Sequence, residues 1–108
     1  MTRLRWTEPA SRDFLGIVEW IRARNPAAAA KVGRHMLDSV EGLIDHPFMG
    51  KPGRSPNTRE LVITSYPYLV VYSVDPDEET TPDQPKTVII LRVLHGARQW
   101  PQEPKESA

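Results

Sequence analysis

The residues best suited to chemistry gather in two places. In Val88–Pro101, Arg92 interrupts a run of apolar residues, and His95, Arg98 and Trp100 follow past its end. A Pro- and Gly-rich segment carries Lys51, Arg54 and Arg59, with Glu60 directly after. Cleaving a phosphodiester without a metal requires a base, an acid and cations on the phosphate. Glu60 and His95 are candidates for the proton-transfer roles, since an imidazole titrates near neutrality. Arg54, Arg59, Arg92 and Arg98 are candidates for the clamp. A glutamate with a distant histidine is a common pattern, so bland roles stand beside these. Arg92 is equally suited to an ion pair with Glu60, and His95 to capping a strand end. Trp100 suits the edge of a core better than a stack on a base. His35 and His46 are isolated and match no metal spacing.

Bulk properties narrow the classes. The chain has no cysteine, which excludes disulfides, thiolate metal sites and a cysteine nucleophile. No metal or cofactor is expected. Fourteen basic residues balance fourteen acidic ones. The charge is uneven: Asp75, Asp77, Glu78, Glu79 and Asp83 cluster in one stretch, while Lys51, Arg54 and Arg59 lie in another without an acid. A neutral total argues against a protein living mainly on phosphate contacts. No apolar run nears the ~20 residues of a membrane span, and the N-terminus lacks a secretory signal. A cytoplasmic protein with no membrane contact is expected.

The elements that must position these residues follow from periodicity. Leu4–Trp6 reads as a first strand. Thr7 or Glu8 caps a helix with Pro9 in its first turn, and Phe14, Ile17, Val18 and Ile21 form its apolar face to about Arg24. Asp13, Glu19, Arg22 and Arg24 fall off that face. Asn25-Pro26 opens a second helix, carried by Val32, Met36, Val40 and Leu43 and ended by His46-Pro47. So short a link predicts an antiparallel helical hairpin. Phe48–Asn57 reads as an ordered loop. Thr58–Thr64, Tyr68–Val74 and the strand beginning near Val88 follow, the last two separated by a long acidic loop over 75–86. Tyr68 and Tyr72 share a strand face with valines and read as core. The expectation is an α+β domain over residues 1–101, in the order β-α-α-β-β-β. An N-terminal strand and helical hairpin precede a three-stranded antiparallel meander, with the helices packed on one face of a four-stranded sheet. Residues 102–108 are expected to form a disordered tail.

These residues in this order resemble the toxins of the RelE/ParE superfamily of type II toxin–antitoxin modules. The resemblance is carried by Asn25-Pro26, Pro47 with Gly50, Pro52-Gly53-Arg54 and Thr58-Arg59-Glu60-Leu61. Pro67-Tyr68 through Val71-Tyr72, Leu91–Arg98 and Trp100-Pro101 complete it, spanning about Trp6 to Pro101. It implies a small toxin neutralised by a cognate antitoxin, ParD- or RelB-like. ParE-like members inhibit DNA gyrase; RelE-like members cleave mRNA on the ribosome. RelE-like chains resemble one another in an arginine before the Val-Tyr of the third strand, where this chain has Leu69, and in being strongly basic. The resemblance therefore favours a ParE-like, gyrase-directed toxin. The alternatives are a metal-independent mRNA endoribonuclease using Glu60, Arg92, His95 and Arg98, or a non-toxic binding module or decayed toxin. Target or antitoxin contacts are expected at Lys51, Arg54, Arg59, Arg92, Arg98 and Trp100.

Overall fold

A computed structural model describes residues 2–77 and 85–96. The elements are β1 (Thr2–Trp6), α1 (Glu8–Arg22), α2 (Pro26–Asp45), β2 (Lys51–Pro52), β3 (Arg59–Val62), β4 (Tyr68–Asp75) and β5 (Lys86–His95). The strands form one sheet in the order β1-β5-β4-β3-β2. β1 runs parallel to β5, and the other pairs are antiparallel.

This corrects the expected three-stranded meander in two ways. Lys51 and Pro52, read from sequence as loop, pair with Glu60 and Arg59 as an extra edge strand. A two-residue strand has no periodicity to read, and its proline is confined to such an edge. The first strand, expected as the fourth of the sheet, pairs in parallel with β5, so that with the extra edge strand the sheet is mixed and five-stranded. The α+β class and the helical hairpin stand as expected.

Capping fixes where the helices start. Thr7 Oγ1 accepts the Ala10 N–H at 3.3 Å, and Asn25 Oδ1 accepts the Ala28 N–H at 3.1 Å, each with a proline in the first turn. The Thr7 hydroxyl also donates to the Ile90 carbonyl at 2.8 Å and the Leu91 carbonyl at 3.2 Å, tying the start of α1 to β5. Val32, Met36, Val40 and Leu43 of α2 then meet Val70, Tyr72, Val88, Ile90 and Val93 in the main core. Burying each such side chain contributes about 1.5–3 kcal/mol before entropy is counted.

β5 carries the irregularity that matters for the site. Val71 lies opposite Arg92 while Tyr72 lies opposite Ile90, so Leu91 is an extra, bulged residue. The bulge lets Ile90 and Val93, three apart, both join the helix-side core. Leu91 and Leu94 instead join Leu69 and Val71 in a smaller cluster. Strict alternation would have sent Ile90 and Val93 to opposite faces.

Candidate functional site

The basic loop is built by α2's exit. His46-Pro47 ends the helix, and the chain is then strapped to β4 by Tyr72. Its hydroxyl donates to the Pro47 carbonyl and accepts the Gly50 N–H, both at 2.8 Å. A Cβ on Gly50 would lie 2.7 Å from that hydroxyl and 2.8 Å from the Glu60 carbonyl, so only glycine fits. Burial raises the Tyr72 pKa, with the Gly50 hydrogen bond opposing it. Arg59 supplies a second strap: its Nη1 donates to the Gly50 carbonyl at 2.9 Å, its guanidinium sits 4.7 Å from the centre of the Phe48 ring, and Nε lies 3.7 Å from Asp77. With its side chain 18% exposed, Arg59 holds the loop together rather than facing outward.

Glu60 and Arg54 make a different arrangement. The Glu60 side chain is 2% exposed; its Oε2 accepts the Arg54 N–H at 3.0 Å and lies 3.4 Å from Arg54 Nε. The Arg54 side chain is 49% exposed, and Lys51, opposite Glu60 in the β2–β3 register, is exposed as well. These residues edge a hollow of about 240 Å³ that Val62, Tyr66, Leu69 and Gly96 also line.

Arg92 does not meet Glu60 as an ion-pair partner. Its Nε donates to Asp13 Oδ2 at 2.6 Å and its Nη2 to Oδ1 at 3.1 Å, a bidentate pair with α1. Asp13 Oδ2 also accepts the Val93 N–H at 3.0 Å. The hydrogen bonds that Arg92 donates to Asp13 raise its pKa, with burial working the other way. Sequence reasoning missed Asp13, placing it among the solvated residues of α1. Its spacing from Ala10 and Ile17, three before and four after, is the signal that puts it at the border of the inward face.

His95 ends β5 with its ring 5.8 Å from that of Tyr68, edge to face. Both line a larger groove of about 670 Å³ between α1 and the ends of β4 and β5, with Asp13, Gly16, Ile17 and Trp20 on its helical wall. Gly16 has open space where a Cβ would stand, and Trp20, 59% exposed, carries the Arg24 guanidinium 3.8 Å from its ring centre. The ridge Pro67-Tyr68 separates this groove from the hollow beside Glu60. Arg98, Trp100, the expected tail over 102–108 and most of the acidic loop lie outside the described residues. Among the described residues no group of three metal-binding side chains gathers, and no helix is long and apolar enough to cross a membrane. The candidate proton-transfer residues and clamps that are described thus lie in four settings: Glu60 with Arg54, Arg59 with Gly50 and Phe48, Arg92 with Asp13, and His95 with Tyr68.

Comparison with known proteins places this arrangement. The family model described as the ParE toxin of the type II toxin-antitoxin system, parDE, matches residues 4–100. Y4kP of Sinorhizobium fredii is 38% identical over 100 residues, covering 93% of this chain and 94% of that protein. Toxin RelE1 of Caulobacter vibrioides is 28% identical over 92 residues, covering 83% and 88%. Among solved structures, the fold is similar to a chain of the chromosomal ParDE system from P. aeruginosa, with a TM-score of 0.71, 22% identity and coverage of 88% and 96%. A chain of the RelBE2 toxin–antitoxin complex from Mycobacterium tuberculosis is more distant in shape, with a TM-score of 0.51, 29% identity and coverage of 86% and 95%. The chain belongs to the ParE toxin family of type II toxin–antitoxin systems, within the RelE/ParE superfamily.

Proposed function

We propose that this toxin arrests growth by inhibiting DNA gyrase and that a cognate antitoxin neutralises it. The observation that supports a non-cleaving action is the separation of the candidate groups. Glu60 is buried and gripped by Arg54, and Asp13 is taken up by Arg92, so neither pair offers an accessible base. Metal-independent RNA cleavage needs base, acid and phosphate clamp on one reacting centre. The match to the ParE family over residues 4–100 supports the same reading. Purified gyrase supercoiling and ribosome-dependent cleavage of a reporter mRNA, measured with one toxin preparation, test it. Loss of supercoiling with intact mRNA is the expected result. Cleavage at defined codons with normal supercoiling would overturn the gyrase assignment.

For the antitoxin, the groove walled by Gly16, Trp20 and Tyr68 is the surface we assign to a helix. Thr7 and Asp13 already satisfy β5 backbone groups at Ile90, Leu91 and Val93, which favours an occupant bringing its own backbone hydrogen bonds. A glycine in mid-helix costs about 1 kcal/mol relative to alanine, and here it widens the groove. Gly16→Leu is expected to weaken antitoxin binding while leaving the fold intact, as read by calorimetry and circular dichroism.

A further inference from the structure

We infer that Glu60 is a positioning residue: it aims Arg54, with Lys51 beside it, at a carboxylate on an acidic segment of a protein partner. The Glu60 carboxylate grips Arg54 twice, at the backbone N–H (3.0 Å) and at Nε (3.4 Å). That grip fixes the root of the guanidinium. The Nη groups of Arg54 have no partner among the described residues, and their end of the guanidinium keeps the paired donors that match a carboxylate. Lys51 lies opposite Glu60 across β2–β3 and has no partner among the described residues. Two cations against one buried carboxylate leave one positive charge at the rim of a hollow of about 240 Å³. Val62, Tyr66 and Leu69 line that hollow, so an apolar residue next to the acid fits beside the clamp.

The occupant is a protein segment rather than nucleic acid. The hollow holds about one side chain, and the chain as a whole has no net charge to collect phosphates. Arg59, the third cation of this stretch in sequence, is withdrawn into the loop and takes no part. The inference deepens the antitoxin reading, on which it rests. It adds a second contact, across the Pro67-Tyr68 ridge from the groove already assigned.

The test is calorimetric titration of the full chain with the antitoxin encoded beside it, from low to high salt, using Lys51→Ala, Arg54→Lys and Glu60→Gln. Thermal melts check that each variant is folded. Each is expected to weaken binding about tenfold at low salt; Lys51→Ala, which removes a positive charge, also flattens the salt dependence, while Arg54→Lys keeps the charge and the salt dependence and loses only the forked geometry. Glu60→Gln is the discriminating case. A surface acting by net charge alone would bind an acidic partner more tightly once a negative charge is removed. A positioning carboxylate predicts weaker binding. Tighter binding by Glu60→Gln would overturn the inference. So would wild-type affinity in Lys51→Ala, an exposed position whose change leaves the core untouched, while the antitoxin reading survives. Wild-type protein that fails to bind the antitoxin removes both. A single-stranded RNA oligonucleotide bound by the wild type and lost in Arg54→Lys would reassign the clamp to phosphate and overturn the protein partner.

Discussion

Arg92 and Arg54 are each paired with a carboxylate, yet the two pairs do opposite things. Arg92 directs two donors of one guanidinium edge, Nε and Nη2, to Asp13, and the same carboxylate takes the Val93 N–H, so helix and strand are joined by three hydrogen bonds. Arg54 is held at its root by Glu60 and keeps its far end in solvent. The buried member differs as well: in one pair the acid is shielded and the arginine is half out, while in the other both are largely covered. An arginine surrounded by acceptors on its own chain is architecture. One tethered at Nε alone keeps its remaining donors available, as the proposed contact requires.

Breaking the closed pair should have the largest effect on stability. Asp13→Ala leaves Arg92 and the Val93 N–H without their acceptor, at a cost of about 2–4 kcal/mol in chemical denaturation. Tyr72→Phe comes next. It leaves the Pro47 carbonyl and the Gly50 N–H without their partner, costing about 1–2 kcal/mol near neutral pH. It also has a pH signature. The folded-state pKa of Tyr72 is raised, so the folded form holds its proton more tightly than the unfolded chain. That contribution is fully present below about pH 10, the ordinary tyrosine value, and is lost as pH rises through the folded value. Tyr72→Phe should therefore flatten the alkaline fall in stability, measured by denaturation between neutral and strongly alkaline pH. Smallest of all, Trp20→Ala should change stability by no more than about 0.5 kcal/mol, since the ring is mostly exposed, while weakening antitoxin affinity. If Trp20→Ala proved more destabilising than Asp13→Ala, the division between architecture and contact drawn here would fail.

Helix starts, the hairpin and the core strands were legible because each is written locally. Thr7 and Asn25 are caps, each with a proline in the first turn that follows, and the apolar residues recur at helical spacing. The edge strand at Lys51-Pro52 was not, because its geometry comes from Tyr72 and Arg59, residues far along the chain that hold the loop in place. The bulge at Leu91 was hidden too, since an unbroken apolar run reads the same with or without an extra residue. At the site, the basic character of Lys51, Arg54 and Arg59 was visible, but sequence could not show that Arg59 turns inward while Arg54 remains out. Asp13 was lost for a related reason: a carboxylate on a helix gives no sign that a strand edge needs an acceptor there.

The pairing of Thr2–Trp6 with Lys86–Ile90 has a consequence for how the toxin comes into being. A chain emerging from the ribosome can form its helical hairpin early, from local contacts. Its first strand must wait unpaired until β5 has been made. Such high contact order slows closure of the sheet and exposes an open strand edge in the meantime. The groove between α1 and β5 is built from segments far apart in sequence, so it is complete only once β5 has been made. A nascent toxin therefore lacks the groove proposed for the antitoxin until its sheet is closing.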